Sequence, residues 1–418
     1  MNAVKTDVLI LGGGVIGLFA AVELVKSGRA VTVLDRSTVG SGSSHGNCGT
    51  ITPSHAPPLA MPGQIAKALK WMFEADAPFY VKPRPDPALL AWLLRFALRC
   101  NWADFRAVTH AKAALLLRSR ERLEAAIREH ALDCDFEALG TLNVFRDAHA
   151  FEQAMWLPQT LAEVGLPVDV LDAAATRAAE PALNDSIVGA FRHRADAHLR
   201  PEKLAAELAR RLRELGGEIV ENEAVVELEF EAQCVSAVRT TKGARRARDV
   251  VFALGAWSPL LARRFGARIP IQPGKGYSIT FERPAICPRV PVTLKERSVC
   301  VTAWNGGYRL GSTMEFSGYD ESLNRTRLDA LTRAAGEYLR EPTGPVRVEE
   351  WYGWRPMTWD DMPIIGRSSH YTNLIYATGH GMLGVTMAAV TAELVSDVLH
   401  ERRPAFDAGA CAPQRFGL

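Results

Sequence analysis

Gly12, Gly14 and Gly17 stand between two apolar runs, Asp7 to Leu11 and Val15 to Val25. That G-x-G-x-x-G spacing between a strand and a helix suits a phosphate group. Gly12 allows a tight turn, Gly14 lets the backbone approach a pyrophosphate, and Gly17 lets the helix pack closely on the strand. The free N–H groups at the helix N-terminus then meet the phosphates. Asp35 closes the next strand, Ala30 to Asp35, eighteen residues after Gly17. Its carboxylate is placed to accept hydrogen bonds from a ribose diol. The first forty residues therefore predict a bound dinucleotide.

A second glycine-rich loop lies near the other end of the chain. Ala377-Thr378-Gly379-His380-Gly381-Met382-Leu383-Gly384 joins an apolar strand to another helix. A helix N-terminus carries roughly half a positive charge. Such a dipole suits the N1–C2=O edge of a flavin, which gains negative charge on reduction. Without a ligand the same loop would be a glycine-rich helix cap. Two nucleotide-type loops at opposite ends of so long a chain favour FAD over NAD. The candidate cofactor-binding residues are Gly12, Gly14, Val15, Ile16, Gly17, Asp35, Arg36, Ser43, Ser44, Gly255, Gly379, His380, Gly381, Met382 and Leu383.

Arg355 lies in Glu349-Glu350-Trp351-Tyr352-Gly353-Trp354-Arg355-Pro356, with Asp360 and Asp361 just beyond. A guanidinium in an aromatic, proline-fixed segment suits bidentate binding of a carboxylate, a contact worth about 1.5–3 kcal/mol. Pairing with Asp360 or Asp361 for purely structural reasons is the competing reading. Tyr277 and Tyr308, on expected hairpin strands, could hydrogen-bond the same carboxylate or simply pack in a sheet. His45, like His380, sits in a glycine-rich loop and could contact the flavin or serve only the loop. Arg355, Tyr277, Tyr308 and His45 form the candidate catalytic set.

The elements that must position these residues follow from periodicity. Strand and helix alternate over Asp7 to Asp35. Pro53, Pro57, Pro58 and Pro62 then interrupt regular structure. Helical spacing dominates from Ile65 to Ala131, followed by a strand at Thr141 to Phe145 and a helix near Phe151 to Val164. Pro201 opens a helix to about Leu215, ended by Gly216 and Gly217. Strands are expected at Ile219 to Phe230, Val235 to Thr240 and Asp249 to Leu254. From Gln272 to Thr313 the pattern is antiparallel, with Asn305-Gly306-Gly307 as a turn. A helix at Leu328 to Leu339, a strand at Leu374 to Ala377 and a helix at Val385 to Leu399 complete the chain. The expected fold is α/β: a Rossmann-like FAD-binding domain with an inserted α+β substrate domain on a mixed or antiparallel sheet. The first draws on 1–56, 200–270 and 352–418, the second on 57–199 and 271–351.

Bulk properties narrow the function classes. A length of 418 residues suggests two domains. The net charge of +2 gives no case for nucleic acid as a partner. Seven cysteines without a C-x-x-C pair fit a reducing compartment, and the scattered histidines offer no metal site. Lys5 and Asp7 beside the first strand do not read as a secretion signal, and no apolar stretch is long enough to span a bilayer. Two amphipathic pieces, Ile65 to Phe73 and Leu89 to Leu98, pack on the protein body in one reading. In the other they touch a membrane surface beside a quinone pool. The expected location is cytoplasmic, with peripheral attachment to the inner membrane as the second reading.

The opening fingerprint, Ala253-Leu254-Gly255-Ala256-Trp257-Ser258, Gly353-Trp354-Arg355-Pro356 and Thr378-Gly379-His380-Gly381 occur in this order. Together they resemble the FAD-dependent D-amino-acid oxidase family of glycine oxidase, sarcosine oxidase and bacterial D-amino-acid dehydrogenase. Asn47 to Pro53, Leu59 to Gly63, Leu69-Lys70-Trp71-Met72 and Glu180-Pro181-Ala182-Leu183 are most similar to the bacterial D-amino-acid dehydrogenase branch. The resemblance implies noncovalent FAD, a mixed-sheet substrate domain over the flavin, and Arg355 on the substrate carboxylate. Ser43, Ser44 and His45 match the stretch beside the flavin in sarcosine oxidases. Those oxidases tether flavin through a cysteine in the region of Gly311 to Glu315. Here that region holds Met314 and no cysteine, which argues against a covalent flavin.

The reaction so implied is oxidation of a D-amino acid by hydride transfer to flavin N5, giving an imine that water hydrolyses. A ring amine such as D-proline or D-hydroxyproline would give a cyclic imine. Electrons would pass to a quinone or another respiratory acceptor. The alternatives are a glycine- or sarcosine-type oxidase using O2, and the catalytic subunit of a flavoprotein dehydrogenase complex.

Overall fold

The computed structural model describes residues 6–72 and 77–418. The terminal Phe73 of the first amphipathic piece lies outside them. Two sheets organise the chain. The smaller is six-stranded, in the order Ile364–Arg367, Leu374–Thr378, Asp249–Phe252, Val8–Leu11, Val31–Leu34, Glu218–Val220. All its pairings are parallel except that of Ile364–Arg367 with Leu374–Thr378. Parallel strands are covered on both faces, so they read as unbroken apolar runs. Val8–Leu11, Val31–Leu34 and Asp249–Phe252 are buried at every position.

Helix Val15–Lys26 packs between this sheet, helix Gly384–Leu399 and helix Pro201–Glu214. In the last of these Leu204, Leu208 and Leu212 recur every four residues and are all fully buried. The two ends of the chain thus share one core. The 29-residue helix Trp102–His130 joins it through Leu115, Leu116 and Leu123. Its sequence had grouped with the substrate part, but its apolar face packs on the nucleotide part.

The larger sheet has nine strands. Its main path runs Arg347–Thr358, Ile271–Phe281, Gly307–Phe316, Val299–Trp304, Val292–Leu294, Thr141–Phe145, Gly189–His193, Val168–Asp172, and Phe79–Val81 pairs with Gly307–Phe316 off that path. Helix Arg325–Tyr338 covers one face through Leu328, Leu331 and Ala335 against Ile279, Val301 and Leu310. The pairing is antiparallel except at Val292–Leu294 with Thr141–Phe145 and at Phe79–Val81. The proline-containing segment around Arg355 is not a loop. It forms the twelve-residue strand Arg347–Thr358, paired along its length with Ile271–Phe281. Pro356 is tolerated there because this strand is the sheet edge. The boundary at 352 falls inside that strand.

The helical stretch from Ile65 to Ala131 divides into Gln64–Trp71, Pro87–Arg99 and Trp102–His130, with the strand Phe79–Val81 between the first two. Asp86 and Asn101 cap the later two by accepting the N–H groups of Leu89 and Asp104.

Candidate functional site

Both glycine loops open onto one cavity of about 1640 Å³. Single small-molecule sites run to about 1000 Å³, so this space has room for a dinucleotide and a small substrate together. At the amino-terminal loop Gly12 has φ +107°, and a Cβ there would sit 2.5 Å from the Ala253 carbonyl oxygen. At Gly17 a Cβ would sit 2.0 Å from the Gly12 oxygen. These contacts leave no room for a side chain, and they hold the helix against the turn. Val15 donates its N–H to Ser44 Oγ at 2.9 Å. Asp35 accepts the N–H groups of Gly13 at 2.8 Å and Ser37 at 2.9 Å, one on each oxygen. Each carboxylate oxygen has a further lone pair for a hydroxyl donor. Burial pushes the Asp35 carboxyl above its ordinary value despite those two bonds. The Arg36 guanidinium lies 4.3 Å over the Trp257 ring. Ser43 Oγ donates to the Trp354 carbonyl at 2.6 Å, joining the loop to the strand that carries Arg355.

At the carboxy-terminal loop His380, Gly381, Met382 and Leu383 line the cavity, and helix Gly384–Leu399 begins at its wall. Gly379 (φ +77°) and Gly381 (φ +55°) make the turn. His380 Nε2 bonds to Thr391 Oγ1 at 2.9 Å, and burial pushes its imidazole down to about 3, so it is neutral. Of the residues expected to hold cofactor, Gly17 and Gly379 do not reach the cavity. They shape the backbone behind it, Gly379 against Thr358 and Ile364. The others all line it.

Arg355 Nη1 donates to the Thr313 carbonyl at 2.7 Å. The structural pairings proposed as a rival do not form: Asp360 binds Arg415 at 2.8 Å and Asp361 binds Lys112 at 2.5 Å. Among the described residues no carboxylate pairs with Arg355, and its guanidinium lines the cavity. Burial pushes it down from the ordinary arginine range, and a guanidinium is so strong a base that it stays a cation in proteins. Two features admit it. A Cβ at Gly276 would come within 2.3 Å of Nη1, so any side chain there would displace the guanidinium where it crosses the neighbouring strand. Ser312 (φ +122°) and Thr313 (φ +77°) hold left-handed backbone at a register shift opposite Lys275 and Tyr277. Such an irregularity re-aims a backbone group, here the carbonyl of Thr313 that anchors Arg355. Neither feature was recognised from sequence. Gly274, Gly276 and Gly353, clustered in two strands, were the available signal.

The remaining candidates separate. Tyr277 lines the cavity, its hydroxyl donating to Glu315 Oε2 at 3.3 Å, and burial pushes its phenol up. Tyr308 does not line it. Strand alternation puts Tyr308 with Leu310 on the helix-covered face, where its hydroxyl donates to the Pro342 carbonyl at 3.1 Å. His45 is likewise turned away: its Nε2 pairs with Glu349 Oε1 at 2.7 Å outside the cavity wall. Although Tyr277 borders the cavity, it alternates with Ile279 and Phe281 and belongs to the same helix-covered cluster as Tyr308, whereas Arg355 crosses the opposite face at Gly276. Of the four, only Arg355 is presented to the cavity.

A phosphate-binding turn, a flavin-suited helix end and a free guanidinium on one cavity define a flavin-dependent oxidoreductase, and the residues present fit FAD. The family described as DAO, FAD dependent oxidoreductase, matches residues 7–398. The chain belongs to that family and its cofactor is FAD. It is 35% identical over 418 residues to a D-amino acid dehydrogenase of Sinorhizobium medicae, covering 98% of this chain and 100% of the relative. A D-amino acid dehydrogenase of Agrobacterium fabrum is 32% identical over 419 residues, covering 98% and 99%. In fold the chain is similar to glycine oxidase from Geobacillus kaustophilus, with a TM-score of 0.78 at 22% identity and 98% of each chain covered. It is also similar to L-proline dehydrogenase from P. horikoshii, at 0.75 and 20%, covering 99% and 98%.

Proposed function

We propose that the protein oxidises the Cα–N bond of a D-amino acid and passes the electrons to a quinone or another respiratory acceptor. The observation that carries this reading is the unpaired Arg355 guanidinium facing a cavity that both nucleotide loops share. The name carried by the Sinorhizobium and Agrobacterium relatives supports the D-amino-acid substrate. FAD, when bound, supplies the hydride acceptor. The chain's own residues bind and orient. Arg355 holds the α-carboxylate, Gly276 leaves it the space, and Thr313 fixes its rotamer. The N-terminus of Gly384–Leu399 offers a standing positive dipole for charge that develops during reduction. His380 and His55, held neutral by burial at about 3 and about 4, take no proton in the working range. No acid–base pair is demanded provided the substrate amine enters unprotonated, and on that basis the rate should rise from neutral toward alkaline pH. A flat pH–rate profile would sink that idea.

An exposed apolar stripe supports a membrane-held acceptor. On helix Pro87–Arg99, Leu89 and Trp92 are buried, while Leu90, Leu94 and Leu98 are 63%, 64% and 70% exposed at a spacing of four. No helix among the described residues is long and apolar enough to cross a membrane, so contact would be peripheral. Leu94→Glu should weaken flotation with quinone-containing vesicles while leaving soluble-dye reduction alone. An oxidase reading draws only on fold likeness to glycine oxidase, and peroxide formation set against dye reduction tests it. The substrate is tested by anaerobic bleaching of bound flavin with D-amino acids, D-proline and D-hydroxyproline included, against their L-partners. Bleaching by L-forms only would overturn the reading.

A further inference from the structure

The cavity wall crosses the larger sheet in register. Ser312, Val299 and Leu294 are partners on three neighbouring strands, and Thr313, Ser298 and Lys295 stand one residue beyond them. Thr313 anchors the Arg355 guanidinium. Lys295 lies two strands away, so its backbone is about 10 Å from Thr313. Leu294 packs into the helix-covered core, and alternation turns Thr293 and Lys295 to the opposite face, where both line the cavity.

The Lys295 ammonium makes no hydrogen bond or ion pair with any described residue. Its neighbour Glu296 is already used: Oε1 accepts the N–H groups of Arg146 and Asp147, each at 3.0 Å, and Oε2 accepts the Tyr338 hydroxyl. Burial pushes the ammonium below the ordinary lysine range, and the charge of Lys67 adds to that push. Lys67 lines the same space, and among the described residues its partner is the Trp71 ring, at 4.7 Å. His55, also on the wall, bonds Thr52 Oγ1 through Nδ1. This end of the cavity is therefore rich in positive charge and donors, and a partly buried cation there is costly unless a guest brings the counter-charge.

Arg355 accounts for one carboxylate. We propose that the substrate carries a second carboxylate on its side chain, and that Lys295 binds it. The substrate class is then a D-amino acid of aspartate or glutamate type, reaching from guanidinium to ammonium across the sheet. The inference rests on the D-amino-acid reading above.

The test uses the FAD-loaded enzyme in two arms. Anaerobic flavin reduction compares D-glutamate and D-aspartate with D-glutamine and D-norvaline. Calorimetry compares glutarate with pentanoate, which lacks the second carboxylate. Each dicarboxylic compound should be favoured by about tenfold or more, the scale of a hydrogen bond to a charged group. In Lys295→Met both preferences should collapse toward unity, and in Lys295→Arg they should persist. Equal use of acidic and neutral D-amino acids by the wild type overturns the second-carboxylate proposal and leaves the D-amino-acid reading standing. Preferences that survive in Lys295→Met overturn the role of Lys295. Failure of every D-amino acid to bleach the flavin overturns both readings. If Lys295→Met does not retain flavin, the wild-type ratios and Lys295→Arg still decide.

Discussion

The two ends of the cavity are built by different means. The nucleotide end consists almost wholly of backbone: glycines that meet carbonyls, helix N-termini, and a carboxylate that braces the turn. Its loops come from both ends of the chain, but each is a short continuous segment that works through local conformation. The substrate end consists of side chains on strands far apart in sequence. Arg355, Gly276 and Thr313 come from three strands and act only when the sheet is assembled in register. A backbone site tolerates no added atoms, whereas a side-chain site tolerates changes that keep charge and shape. Damage at the first end should abolish the cofactor, and damage at the second should spare the cofactor and harm the substrate.

The largest effect should come from Gly17→Val. Its Cβ would start 2.0 Å from the Gly12 oxygen, in backbone that cannot yield. Purified protein should be colourless or fail to fold, as read by the flavin-to-protein absorbance ratio. A yellow, fully loaded variant would break the contrast between the two ends. Next, Arg355→Lys loses the bidentate fork and should raise KM by about one to two orders of magnitude at full flavin content. Gly276→Ala should do the same more weakly, since its methyl presses on Nη1. An unchanged KM in both would move the carboxylate elsewhere.

Acid should act on both ends through buried histidines. Burial holds His55, His193, His198 and His380 down at about 4, 3, 4 and 3. Unfolded histidine titrates near 6.5, so below that pH the unfolded chain binds more protons and stability falls toward pH 4. Asp196, buried and pushed up to about 6, opposes this: its contribution is full below about 4 and lost as pH rises through about 6. The histidines outnumber it, so Tm should drop by several °C between pH 7 and 5. A Tm that rises over that interval would contradict the balance.

The smallest effects belong to residues that face away. Tyr308→Phe orphans the Pro342 carbonyl and should cost about 1 kcal/mol of stability with KM unmoved. Tyr277→Phe, on the same face, removes the hydroxyl that Glu315 accepts and should likewise cost stability with KM little changed. A KM shift of about tenfold or more in either variant would place the substrate on the helix-covered side of the sheet.

Local features were legible in proportion to how local their physics is. The strand–turn–helix at Gly12 could be read because each glycine answers to its immediate neighbours. Helix Pro201–Glu214 could be read because its leucines repeat every four residues. The strand around Arg355 was hidden by Pro356 and by three aromatic residues, Trp351, Tyr352 and Trp354, that no simple alternation orders. Tyr308 and His45 looked equivalent to Tyr277 as polar groups near a flavin. What removes them from the substrate is the covered face of the sheet, which holds both tyrosines, and the carboxylate of Glu349, which pairs with His45.

By itself the chain determined that it winds a phosphate-binding turn at one end and a flavin-suited helix end at the other, and carries a guanidinium able to grip a carboxylate, since turn geometry, dipoles and charge are properties of short segments. Tertiary structure alone decided that Asp360 and Asp361 are claimed by Arg415 and Lys112, leaving Arg355 free. It also decided that Lys295 stands in the same row of the sheet. Ion-pair partners and cross-strand register depend on residues tens to hundreds of positions apart, and only the folded sheet brings them together.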